Sequence, residues 1–126
     1  KNELCIFNHN QFLMTVKIRD KVFCFHESKE HELTKESFIL DSYSKLNPGK
    51  VIYKNTRNTE INLSSKTCKI KLKNLKTKVL IFVNDKKYIL YKKAVQDGDN
   101  AQKIYMPWIK KGMGHHLSDG AYVLPL

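Results

Sequence analysis

Up to about residue 94 the apolar positions alternate with polar ones or gather in short β-branched and aromatic runs, which is the pattern of strands. The runs are Phe12 to Ile18, Val22 to His26, Phe38 to Tyr43, Val51 to Lys54, Glu60 to Leu63, Cys68 to Leu72, Val79 to Val83 and Tyr88 to Tyr91. Turn-forming residues separate them: Arg19-Asp20, Asn47-Pro48-Gly49, Asn55-Thr56-Arg57-Asn58, Asn74 and Asn84-Asp85. This spacing predicts an antiparallel barrel or sandwich of about seven strands rather than alternating βα units. Strict alternation from Cys68 to Lys73 places Cys68, Ile70 and Leu72 toward a core and Lys69, Lys71 and Lys73 outward as a basic comb. Val79 to Val83 is apolar on both parities, which predicts cover on both faces.

After Ala94 the period changes. Ala101, Ile104, Tyr105, Trp108 and Ile109 fall at helical spacing, with Asp99 as an N-terminal cap and Lys110-Lys111-Gly112 as a stop. A single C-terminal helix is expected there, kinked or shortened by Pro107. Three segments follow: an N-terminal extension or extra strand over 1–19, the main domain over 20–112 and a tail over 113–126 whose end, Tyr122 to Leu126, is apolar.

Composition narrows the class. With 126 residues, 41% of them hydrophobic, the chain is expected to form one globular domain. Its longest apolar run, Val79 to Val83, is far short of a membrane-spanning helix. Cys5, Cys24 and Cys68 are odd in number and widely spaced, as suits reduced thiols in the cytoplasm. The chain opens at Lys1 without a methionine, which predicts a fragment with sequence upstream. The net charge of +11 is local: residues 50–93 hold thirteen basic residues against Glu60 and Asp85, whereas both flanks are balanced. A field of this kind attracts polyanionic partners.

Catalytic and metal-binding constellations are sparse. There is no glycine-rich phosphate loop, G-x-S-x-G elbow or H-E-x-x-H helix. Cys24 and His26 share a strand face but have no Cys-x-x-Cys partner, so a plain strand is expected. His115-His116 fits a solvated tail. Glu27, Glu30, Glu32 and Glu36 are interleaved with Lys29 and Lys35, as on a solvated loop. Asn62-Leu63-Ser64 is formally a glycosylation acceptor but lies in a strand-like stretch. No enzyme, cofactor, metal or small-molecule substrate is expected.

Val79 to Val83, the turn 84–87, Tyr88 to Tyr91 and the segment containing Trp108-Ile109 together resemble the end of a pleckstrin-homology domain. In that family two last strands precede a helix whose tryptophan plugs the barrel. Phe38-Ile39-Leu40, Val51-Ile52-Tyr53 and Ile61-Asn62-Leu63 are similar to the family's second to fourth strands, so the resemblance covers 20–112. The lysine-rich composition is similar to that of apicomplexan inner-membrane-complex sub-compartment proteins. Lipid-binding members carry a basic motif after the first strand. If Val22 to His26 is that strand, the loop from Glu27 to Lys35 does not match. If Phe12 to Ile18 is, then Lys17, Arg19 and Lys21 lie nearer the motif.

The resemblance implies a non-catalytic module docking on an anionic membrane through a loop rim that includes Lys54, Arg57, Lys86 and Lys87. Its localisation would be cytoplasmic and peripheral, with an acyl anchor upstream of Lys1 as the second attachment. A protein-interaction scaffold with a degenerate lipid site is the alternative. Single-stranded nucleic-acid binding by the Lys69, Lys71, Lys73 comb is less favoured, because it needs aromatics on the basic face.

Overall fold

A computed structural model describes residues 2–19, 21–27, 51–57, 60–94, 100–110 and 113–126. They form β1 (Glu3–Ile6), β2 (Leu13–Ile18), β3 (Lys21–His26), β4 (Val51–Asn55), β5 (Glu60–Ser64), β6 (Lys69–Asn74), β7 (Lys78–Val83), β8 (Lys86–Tyr91), β9 (Gln102–Tyr105), β10 (His115–His116) and β11 (Tyr122–Pro125). A 3-10 turn, Leu117–Asp119, joins the last two. The predicted strand Phe38 to Tyr43 lies outside the described residues. Elsewhere the predicted runs coincide with β2 to β8.

The strands make two open sheets. The first has the order β11-β1-β2-β3-β4 and the second β10-β9-β8-β7-β6-β5. Neither closes into a barrel, and the pairing is mixed: β3 with β4, β8 with β9 and β9 with β10 run parallel. The expectation of an antiparallel barrel is corrected accordingly. The segments read as extension and tail meet in the first sheet through β1 and β11, with β1 lying between β11 and β2, while β10 of the tail joins the second sheet.

One interior joins the sheets. Leu4, Ile6, Met14, Val16 and Phe25 pack with Ile70, Leu72, Val79, Ile81, Tyr88 and Leu90 in a single cluster. Each large side chain fully buried there contributes roughly 1.5 to 3 kcal/mol. Tyr88 and Tyr122 meet at 6.2 Å between the sheets and hold β11 against β8. Alternation in β6 is as predicted, with Ile70 and Leu72 buried and the three comb lysines exposed. On β7 only Val79, Ile81 and Val83 are buried; Leu80 and Phe82 are partly exposed, so its second face is covered less than expected.

The C-terminal helix is not there: no α-helix occurs among the described residues. Gln102–Tyr105 pairs with β8, where Ile104 is buried inward and Tyr105 stacks on Tyr91 at 5.4 Å. β-Branched and aromatic side chains favour that arrangement. Just past β9, Pro107 begins a turn in which the Ile109 N–H donates to the Met106 carbonyl, and Met106 and Ile109 fill the core. The helical spacing therefore reflected a strand followed by a buried turn. Trp108 is 55% exposed and not a plug, and its indole N–H donates to the Lys92 carbonyl at 2.8 Å.

Trp108→Ala should therefore lower stability by only about 1 kcal/mol, near the value of one hydrogen bond. Phe12→Ala, at a fully buried position, should cost about 3 to 5 kcal/mol. Urea unfolding of the two variants side by side measures this; equal losses would place Trp108 back in the interior.

Candidate functional site

Topology decides which basic residues can act together. β7 runs from Lys78, beside the 75–77 connection, to Val83, beside the turn Asn84-Asp85. Those ends are roughly 17 Å apart for six residues at about 3.4 Å each. Arg57 belongs to the first end, sharing a cleft with Lys76 and Lys92. Lys86 and Lys87 open β8 at the second. Lys54 pairs with Phe25, one step before the His26–Asn55 pair that leads to Thr56 and Arg57. The rim of Lys54, Arg57, Lys86 and Lys87 is thus divided between opposite ends of the sandwich.

A different group converges at the second end. Arg19 and Lys21 from the β2–β3 connection face Ser64, Ser65, Lys66 and Thr67 from the β5–β6 connection, with Asn2, Ile18 and Phe23, around a cleft of about 500 Å³. Thr67 also lines a neighbouring cleft with Asp85 and Lys86. Lys17 lies on β2 near this end, opposite Val22 and Glu3. Asp20 lies outside the described residues. Among the described residues the cleft lining carries three cations and no carboxylate.

Local chemistry fixes both loops. Arg19 has φ 58°, a left-handed conformation that side chains other than Gly, Asn and Asp adopt rarely. Its N–H donates to the Asn2 side-chain oxygen at 2.8 Å. Ser65 holds the other loop: its hydroxyl accepts from the Cys68 N–H at 3.1 Å and the Thr67 N–H at 3.4 Å, leaving Lys66 exposed at the tip.

Ser64 links this cleft to a second one of about 410 Å³ on the outer face of β5, β6 and β7, lined also by Asn62, Lys69, Lys71 and Phe82. The comb is partly neutralised there, since Lys71 pairs with Glu60 at 3.1 Å. Lys87 lies 5.9 Å from the Phe82 ring centroid.

The opposite end holds a polar staple that the sequence did not announce. Glu27, read as part of a solvated loop, is instead partly buried and accepts from Lys92 at 2.7 Å, from the Phe12 N–H at 3.1 Å and from the Asn74 amide at 3.1 Å. Asn74 also donates to Thr56, which donates to the His26 carbonyl, so the group ties the two sheets together. Burial pushes the Glu27 carboxyl up, but these hydrogen bonds and the Lys92 charge outweigh it and hold it below its ordinary value. Arg57 is drawn into the same group, donating to the Glu27 carbonyl at 3.1 Å.

The remaining candidates have structural roles. Cys24 and His26 are buried, and His26 packs edge-on to Tyr53. His115 and His116 engage the Gly120 and Ile109 carbonyls rather than lying in a solvated tail. Among the described residues no three His, Cys, Asp or Glu side chains are placed to hold a metal. All three cysteines are buried and none is in a disulfide. Burial, with the nearby Glu3 charge, pushes the Cys5 thiol up to about 12. Lys66, Ser64 and Thr67 were missed. Ser64-Ser65-Lys66-Thr67 is legible as a turn between strands, but only the folded chain brings it opposite Arg19.

No family model matches the chain, and neither the curated proteins nor the solved structures include a match to it.

Because the folded state holds the Glu27 carboxyl low, its contribution to stability is complete above the ordinary carboxylate range and is lost as pH falls through the folded-state value. Glu27→Gln should cost about 1 to 3 kcal/mol at neutral pH and flatten the acid limb of the stability profile. Urea midpoints from pH 7 to pH 3 test this; an unchanged acid limb would remove Glu27 from the staple.

Proposed function

We propose that the chain is a non-catalytic β-sandwich module that docks peripherally on an anionic membrane, end-on, through Arg19, Lys21, Lys66 and Lys86. The observation that carries this reading is the convergence of the first three around one cleft with no carboxylate in its described lining. Like charges gathered in this way repel one another, and a surface of opposite sign relieves that repulsion. Each basic residue at a charged leaflet contributes about 1 kcal/mol, so four or five, with Lys69 beside them, give weak reversible attachment that a second anchor would make firm. Anionic lipids enrich the cytoplasmic leaflet, which makes the cytoplasmic face the proposed location. The docking role remains from the pleckstrin-homology resemblance; its tryptophan-plugged barrel does not.

A nucleic-acid strand laid across the comb is less well supported. Lys87 already lies over Phe82, the aromatic on that face, and Glu60 occupies Lys71.

The triple variant Lys21→Glu, Lys66→Glu, Lys86→Glu should lose co-sedimentation with acidic vesicles at physiological salt while keeping its circular dichroism spectrum. Reversal of Lys54 and Arg57 at the other end should leave binding nearly intact. If the second variant loses binding and the first retains it, docking runs through the opposite end.

A further inference from the structure

The cleft between the β2–β3 and β5–β6 connections offers more than diffuse charge. Its donors come from two elements that approach from opposite sides: Arg19 and Lys21 from the first sheet, Lys66, Ser64 and Thr67 from the second. Neither the three cations nor the Ser64 and Thr67 hydroxyls are engaged by another described side chain, whereas the Ser65 hydroxyl is consumed in holding its loop. Its volume of about 500 Å³ lies within the range of small-ligand clefts.

Arg19 gives the second indication. It occupies a left-handed position with φ 58°, while the corresponding position of the β7–β8 turn, φ 55°, is filled by Asn84. Asparagine is the less costly residue in that conformation. Asn84 is also built into its sheet, accepting from the Lys69 N–H at 3.0 Å. Among the described residues the Arg19 side chain has no such structural partner, and its backbone is held in place by Asn2. A left-handed conformation held at a residue whose side chain braces no other described residue points to a ligand.

We infer that this cleft is a phosphomonoester site, in which Arg19, Lys21 and Lys66 face a dianionic terminal phosphate and the Ser64 and Thr67 hydroxyls donate to its oxygens. A monoester presents three terminal oxygens and nearly two negative charges at neutral pH. A phosphodiester presents two oxygens and one charge, and so matches fewer of the donors. Where the phosphate is a lipid headgroup, the inference rests on the docking proposed above; a soluble phosphomonoester would use the same groups.

The test uses the 126-residue chain, labelled with ¹⁵N, titrated with glycerol 3-phosphate and separately with dimethyl phosphate at pH 7.5. The monoester should produce saturable shifts centred on the Lys66 and Thr67 amides, and the diester none that saturate. Arg19→Asn, which suits the left-handed backbone, combined with Lys66→Gln should weaken the monoester by about tenfold or more. Lys73→Gln, at the far end of β6, should change nothing. Equal response to both phosphates, or shifts centred on β6 and β7, would overturn the site.

Vesicles of phosphatidylcholine with phosphatidic acid or phosphatidylglycerol, matched in surface charge, separate the two claims. Preference for phosphatidic acid supports both. Equal sedimentation with both vesicles and no saturable titration leaves docking standing and overturns the monoester site. A saturable titration without sedimentation keeps the site and overturns docking, and failure of both overturns both.

Discussion

The two-residue period of a strand is the constraint from which the rest follows. In β6 the apolar residues Ile70 and Leu72 must face the second sheet's partner, so Lys69, Lys71 and Lys73 must face away. The same rule puts Leu4, Ile6, Met14 and Val16 of the first sheet into that interior. A middle third with thirteen basic residues cannot place them inside without a desolvation cost of several kcal/mol each. Among the described residues most of them lie on the outer face of the second sheet and in the connections at the sandwich ends, with Lys54 on β4 of the first sheet.

The two ends then solve opposite electrostatic problems. At one, Lys92 and Arg57 are absorbed by Glu27, whose carboxylate and carbonyl accept from them while Asn74 and Thr56 complete the cross-sheet bonding. Charge there is spent on cohesion. At the other, Arg19, Lys21 and Lys66 meet around a cleft whose described lining holds no carboxylate, and the hydrogen bonds accepted by Asn2 and Ser65 organise backbone rather than neutralise charge. This end, which also holds an arginine in a left-handed conformation, is the one proposed to meet an anionic partner.

Strand identity was legible because alternation and breakers are local: β2 through β8 were all anticipated within a few residues. What failed was non-local. β1 and β11 are short, and their pairing depends on two chain segments more than a hundred positions apart. Ala101, Ile104, Tyr105, Trp108 and Ile109 match a helical stripe as well as they match a strand followed by a turn, and only pairing with β8 decides. The site shows the same division. Arg19 and Lys21 entered as candidates only through one register of the pleckstrin-homology resemblance, Lys66 could be joined to them only once the sheets were stacked, and Arg57 could be removed only once Glu27 was seen to hold it.

The central claim is that the Arg19–Lys66 end, and not the comb or the Glu27 end, meets the anionic surface. Hydrogen exchange of the chain free and bound to phosphatidic-acid vesicles reads this directly. The account predicts slowed exchange at the amides of 19–21 and 64–67, with the 75–77 connection and Arg57 unchanged. Slowing confined to β6 and β7, or to the 75–77 connection, would contradict it.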